Sequence, residues 1–232
     1  MTTKDPSICN VETAASTPES RQRASSLYSG TRGSGRVGLL EIVCNVIGTV
    51  GFVVGSVFFC LEWSVPGCLI FAAACLFCGL SCCIYCHRAR QVQNHVTSFG
   101  FGEQALGCFI FVIASIFFII PELVLWGTIG FLVASLNFMD GTLIQHVVAR
   151  SVFRPMCSLW PHTALVCPSM LCNTLGSVTF CLGSVCFFFD NLNLAGSILY
   201  TIGSIIFFMA SWSDASSWYE DLIGFERKPG YA

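Results

Sequence analysis

Hydrophobic residues fall into six long runs separated by short polar segments. The runs cover residues 42–61, 65–85, 105–120, 123–139, 170–189 and 194–212. A helix needs about 20 residues to cross the hydrocarbon core of a bilayer, and about 17 is the lower limit. The two middle runs lie at or just below that limit, with Pro121 and Glu122 between them, so we expect short spans there. The pattern predicts an all-α membrane protein of six transmembrane helices, arranged as three tandem helical hairpins.

One motif recurs in all six runs: a glycine, an aromatic residue four positions later, then a pair of small residues and usually a phenylalanine. On a helix these positions form one stripe about 100° wide. The copies are Gly48, Phe52, Gly55, Ser56, Phe59; Gly67, Phe71, Ala74, Cys75, Cys78; Gly107, Phe111, Ala114, Ser115, Phe118; Gly127, Phe131, Ala134, Ser135, Phe138; Gly176, Phe180, Gly183, Ser184, Phe187; and Gly196, Tyr200, Gly203, Ser204, Phe207. Cys78 stands where the other copies have phenylalanine.

Helices in a bilayer gain little by hiding leucine from lipid, so they associate through small residues that allow close packing and through interhelical hydrogen bonds. We therefore predict that the stripe is a helix-packing motif. The alternative is a substrate path lined by the serines and by three amides on the same stripe, Asn45, Gln104 and Asn173.

The eleven lysines and arginines all lie before the first run or after the second, fourth and sixth. The three tight connections inside the hairpins contain none. Because basic residues mark the cytoplasmic side, both termini are expected to be cytoplasmic. These residues are Lys4, Arg21, Arg23, Arg32, Arg36, Arg88, Arg90, Arg150, Arg154, Arg227 and Lys228.

Composition agrees with a multi-pass membrane protein: 54% of residues are hydrophobic, 10% are charged, and the mean hydropathy is +0.73. The expected organisation is a disordered cytoplasmic tail (1–36), a first hairpin (37–88), a second hairpin (103–139), a cytoplasmic connector (140–169), a third hairpin (170–212) and a cytoplasmic tail (213–232). A net charge of −2 argues against a nucleic-acid partner. The partner that the composition predicts is the lipid bilayer.

Two short helices with this Gly, aromatic and Gly-Ser pattern, joined by a very tight turn, resemble the YrhK-like domain. The resemblance covers residues 41–85, 103–139 and 170–212, and the first unit departs most because of Cys78. It implies a small membrane module of uncharacterised activity, here in three copies, and brings no catalytic residues.

Fifteen cysteines raise the question of thiol chemistry. Most lie within the runs, where cysteine behaves as a small hydrophobe. Cys83, Cys86 and His87 match a haem-attachment string, but the string lies at a membrane-embedded helix end, which is a poor context for haem. A zinc site there would need four ligands in a tetrahedral arrangement, whereas adjacent residues on a helix point about 100° apart. Palmitoylation of Cys82, Cys83 or Cys86 fits this juxtamembrane context better, and unmodified thiols are the alternative. We predict no cofactor and no metal.

One acid lies near the tip of each hairpin: Glu62, Glu122 and Asp190. Three hairpins around an axis would bring them into a carboxylate ring of the kind that attracts cations. The simpler interpretation is that each acid is a solvated turn residue near the N-terminus of the next helix.

The sequence contains no catalytic motif, so we do not expect an enzyme. We expect a structural or interaction module that forms homo-oligomers through its small-residue faces. A channel or small-solute transporter is the alternative.

Overall fold

The computed structural model describes residues 35–91, 94–157 and 167–226. Six α-helices make up this part of the chain, and it contains no β-strand. They are α1 (Gly35–Cys60), α2 (Ser64–Gln91), α3 (His95–Ile119), α4 (Val124–Cys157), α5 (Cys167–Cys186) and α6 (Asn193–Glu226).

The six helices form a closed ring. Each helix packs against the next one in the chain, and α6 returns to pack against α1. Helices α1 and α2 form hairpin 1, α3 and α4 form hairpin 2, and α5 and α6 form hairpin 3. We call the end with the three tight turns the turn end of the ring and the opposite end the connector end.

Five stretches are long and apolar enough to span a membrane: Gly38–Cys60, Ser64–Gln91, His95–Ile119, Pro121–Gln145 and Asp190–Ser216. Helix α5 carries a shorter apolar stretch, Leu171–Cys186. Many large hydrophobic side chains are exposed on these helices, for example Leu69 and Leu125. A soluble protein rarely exposes so much apolar surface, whereas lipid covers it favourably. For the described residues, the prediction of an all-helical fold with several helices long and apolar enough to span a membrane is confirmed.

All six helices extend beyond the hydrophobic runs, and α3, α4 and α6 extend the furthest. Helix α3 begins at His95, where the Asn94 side chain accepts a hydrogen bond from the Thr97 backbone N–H at 3.1 Å. The second hairpin therefore begins before residue 103. Helix α4 continues through residues 140–157, which were expected to belong to a connector, and α6 continues to Glu226. Residues 1–34 of the expected tail lie outside the described residues, and α1 begins at Gly35.

Each hairpin turn is very short. In hairpin 1 Glu62 adopts a left-handed conformation, with φ of 62°. Hairpins 2 and 3 turn through single 3₁₀ segments, Pro121–Leu123 and Asp190–Leu192. Short turns of this kind keep the two helices of a hairpin adjacent and antiparallel.

The motif glycines lie where the two helices of a hairpin approach most closely. A Cβ atom on Gly107 would lie 2.8 Å from the Phe138 ring, and one on Gly127 would lie 2.7 Å from the Phe118 backbone nitrogen. Real Cβ contacts are longer than this, so only glycine fits at these positions. The glycines thus set the distance between the paired helices.

Replacing Gly183 with leucine is expected to destabilise the fold strongly. A Cβ atom there would lie 2.6 Å from the Tyr200 ring and 3.0 Å from the Gly196 carbonyl oxygen. Overpacking of this kind costs about 1–3 kcal/mol or more. Leu182→Ala is the matched control, since the neighbouring Leu182 is 53% exposed. Folded yield in detergent, measured by size-exclusion chromatography, should fall far more for Gly183→Leu, and equal losses would contradict the packing role.

Candidate functional site

The ring is filled along its axis by a column of side chains from the motif. Two positions of each helix contribute twelve side chains. Contacts among the eleven rings, and the motif register in the case of Cys78, arrange them in four layers of three. From the turn end the layers are Phe59, Phe118, Phe187; then Phe71, Phe131, Tyr200; then Phe52, Phe111, Phe180; and at the connector end Cys78, Phe138, Phe207. We call this set the aromatic column.

Phe71 lies at the centre of the aromatic column and is fully buried. Rings from five other helices surround it, at centroid distances between 4.8 and 6.1 Å. Tilted and edge-on pairs at such distances are favourable beyond the area they bury. Phe71 therefore packs against rings from every other helix at this level of the axis.

The polar residues predicted for the two ends of a path lie on opposite sides of the aromatic column. Glu62, Glu122 and Asp190 are exposed at the turn end. At the connector end Gln104 is buried and its side-chain oxygen accepts a hydrogen bond from Gln145 Nε2 at 3.2 Å, whereas Asn45 is half-buried. Asn173 is half-buried as well. The acids and the amides are therefore separated by layers of packed rings.

A layer of serines joins neighbouring hairpins. Ser56 Oγ of α1 lies 2.9 Å from Ser204 Oγ of α6, and Ser135 Oγ of α4 lies 3.1 Å from Ser184 Oγ of α5. Tyr200 adds its hydroxyl, 2.7 Å from Ser184 Oγ. All four serines are fully buried, and each Oγ also lies 2.7–2.8 Å from the backbone carbonyl oxygen four residues earlier. Because a hydroxyl has a single proton, one serine of each pair donates to the other, and that second serine donates to its own backbone carbonyl. These bonds satisfy polar groups that would otherwise be costly to bury.

The third interface between hairpins, α2 with α3, lacks such a pair. Ser115 of α3 occupies the position equivalent to Ser56 and Ser184, but its buried hydroxyl has no hydrogen-bond partner among the described residues. The motif position that would supply the partner on α2 is Cys75. At this interface a thiol therefore stands where the other two interfaces have a second serine hydroxyl. A thiol is a weaker donor and acceptor than a hydroxyl.

The motif residues on which the packing prediction rests, namely the glycines, the first aromatic and the small pair of α1, α3 and α5 with Gly203 and Ser204 of α6, are buried in the ring. They are Gly48, Phe52, Gly55, Ser56, Gly107, Phe111, Ala114, Ser115, Gly176, Phe180, Gly183, Ser184, Gly203 and Ser204. The glycines contact the partner helix of their own hairpin, the aromatics fill the axis, and the serines face the next hairpin, apart from Ser115. One sequence stripe thus serves three different contacts.

Sequence reasoning missed an ion pair at the connector end of hairpin 1. Glu41 of α1 is 1% exposed and accepts a hydrogen bond from Arg88 Nη1 of α2. The Ser81 hydroxyl donates to the Glu41 backbone carbonyl at 3.0 Å. The second carboxylate oxygen of Glu41 is buried without a hydrogen-bond partner in the described chain. The two residues are 47 positions apart in the chain, and no pattern in the sequence indicates that they meet.

The three cysteines predicted as palmitoylation sites have different surroundings. Cys82 Sγ lies 3.8 Å from Gln104 Oε1, and Cys86 Sγ lies 3.3 Å from Ser98 Oγ, so both thiols contact α3. Cys83 is exposed. Access for an acyl donor therefore differs, and Cys83 offers the most accessible thiol. Across residues 35–91, 94–157 and 167–226, no three His, Cys, Asp or Glu side chains are placed to hold a metal ion.

Comparison with protein families relates the third hairpin to a known family. The family model described as YrhK-like protein matches residues 166–218. Hairpin 3 is therefore similar to the YrhK-like family, as the resemblance predicted. No curated protein and no solved structure matches the chain.

Cys75→Ser is expected to stabilise the protein, because it would give the buried Ser115 hydroxyl the partner that its equivalents have. A buried hydrogen bond contributes about 1 kcal/mol, which for a chain of this size raises the unfolding midpoint by roughly 2–4 °C. Thermal unfolding in detergent should rank the variants at position 75 as Ser, then Cys, then Ala.

The Ser115→Ala background provides the control for this effect. Without the Ser115 hydroxyl, Cys75→Ser should give no gain, since the new hydroxyl would have lost its partner across the interface. A gain that persists in the Ser115→Ala protein would show that the two positions are not paired.

Proposed function

We propose that the chain is a non-catalytic structural or interaction module of a membrane, built of three YrhK-like hairpins. The aromatic column carries this proposal. Rings from all six helices meet on the axis, where a channel or transporter would need a water-accessible path. The three exposed acids at the turn end then act as solvated turn residues, close to the start of the following helices.

Equivalent contacts in the three hairpins support the repeat. Gly107 and Gly176 lie against the Phe138 and Phe207 rings of their partner helices, and Gly48 lies against Cys78 in the same way. Hairpin 3, which matches the family model, therefore shares its internal packing with the other two. We extend the family resemblance to all three on this basis.

We further propose six spans with both termini in the cytoplasm. Helix α5 has 20 residues, which correspond to about 30 Å of helix, and it takes its place in the ring between α4 and α6. The distribution of lysine and arginine over the connectors and termini then supports a cytoplasmic connector end.

Purified protein in liposomes is expected to conduct neither small cations nor small anions, because packed rings close the axis. Dye-based flux of potassium and chloride should match that of protein-free vesicles. Flux that is lost in a Glu62→Gln, Asp190→Asn double variant would contradict the proposal, since it would place a cation path at the turn end.

Topology reporters test the six spans independently of function. Fusions at Lys4 and at Ala232 should both report a cytoplasmic location, and a reporter inserted after Asp190 should report the opposite side. The charge distribution is the reason for this expectation. A terminus on the far side would contradict the six-span arrangement but not the closed aromatic column.

A further inference from the structure

We propose that the connector end of α2 binds the phosphate group of an anionic phospholipid, with Arg88 as the main contact. A shallow groove of about 430 Å³ lies here and is lined by Cys83, Ile84, His87, Arg88 and Gln91. Gln91 is the last residue of a stretch apolar enough to span a membrane. The groove therefore lies at the depth where lipid headgroups are found.

Arg88 has unused hydrogen-bonding capacity in this groove. A guanidinium group carries five N–H donors, and within the described chain the Arg88 side chain makes one hydrogen bond, from Nη1 to Glu41. Its side chain is 19% exposed, and it forms part of the groove wall. The free donors match the geometry of phosphate oxygens, which arginine binds through paired contacts.

Glu41 is the positioning residue of this site. Its carboxylate is buried and holds the guanidinium group from the side of α1, away from solvent. A long arginine side chain at the end of a span otherwise has considerable rotational freedom. Pre-positioning reduces the conformational entropy that would be lost when a phosphate group binds.

The rest of the groove suits a lipid. Ile84, Cys83 and the Arg88 stem give it a mostly apolar wall, which an acyl chain or glycerol group would cover. His87 and Gln91 are exposed beside it, and Gln91 Nε2 donates to His87 Nε2 at 3.0 Å. The second Gln91 Nε2–H and the His87 Nδ1–H are then the groups that can donate to phosphate oxygens. In the motif register the positions equivalent to Arg88 on α4 and α6 are Val148 and Ser217, which carry no charge.

The experiment compares lipid binding to the full-length protein by native mass spectrometry, with phosphatidylglycerol and phosphatidylcholine added separately at equal concentrations. One arginine beside a membrane surface contributes about 1 kcal/mol, and the Glu41 carboxylate offsets part of this. We therefore expect tighter binding of phosphatidylglycerol than of phosphatidylcholine, with about fivefold as the upper bound. Wild-type protein without this preference would overturn the proposal. So would the same occupancy by inorganic phosphate, or a covalent acyl group on Cys83 that accounts for the lipid mass.

Three variants locate the site. Glu41→Gln combined with Arg88→Gln removes both charges without leaving one buried alone, and it should abolish the preference. Arg90→Gln is the matched control, since Arg90 is exposed and hydrogen-bonds to Ser98 on α3, away from the groove. It should keep the preference.

If the double variant fails to fold, the variant with His87→Ala and Gln91→Ala tests the site instead. Both residues are exposed, and their loss should weaken the preference for phosphatidylglycerol. A preference unchanged in the decisive variant, or lost equally in Arg90→Gln, would refute the site.

Discussion

Close approach of helices is the constraint on which the rest of this structure depends. In a bilayer a leucine gains little free energy by moving from lipid into the protein, because lipid tails are as apolar as its side chain. The helices are therefore held together by packing and by hydrogen bonds between them. Glycine at the start of each motif lets the partner helix of the hairpin come near, as at Gly127 against the Phe118 backbone. The large aromatic four residues later is then directed to the axis, where the rings meet. The serine layer depends on the same spacing, since its hydroxyl pairs form only when neighbouring hairpins are close.

Hairpin 1 departs from the other two in ways that belong together. It has Cys78 in place of a ring at the connector end of the aromatic column and Cys75 in place of a serine in the hydroxyl layer. It also carries the buried Glu41–Arg88 pair close to that same end. A buried ion pair is weak evidence for stability, because desolvation offsets much of the attraction. Here the ion pair holds the ends of α1 and α2 next to each other, at the level where Cys78 leaves the aromatic packing incomplete.

Much of the fold could be predicted because the motif recurs at a constant register. The spacing of the motif places its residues on one stripe of each helix, and that stripe predicts the face that contacts other helices. The short connections after the first, third and fifth runs predict three hairpins. The length of α4 could not be predicted from hydropathy, because the helix continues beyond Met139 with mixed residues that pack on α3. Gly141, for example, lies against the Gly100 backbone and the Gln104 side chain. The missing partner of Ser115 and the pairing of Glu41 with Arg88 depend on which helices become neighbours, which local periodicity does not specify.

The most direct test of this account is the stability of a variant without the central ring of the aromatic column. Phe71→Ala should lower the free energy of unfolding by about 3–5 kcal/mol, since the cavity would open among rings from every neighbouring helix. Phe77, on the same helix, is 41% exposed on the outer face, so Phe77→Ala should change the free energy by less than about 1 kcal/mol. Unfolding of both proteins in matched detergent measures the difference. Similar losses for the two variants would contradict an aromatic column that holds the six helices together.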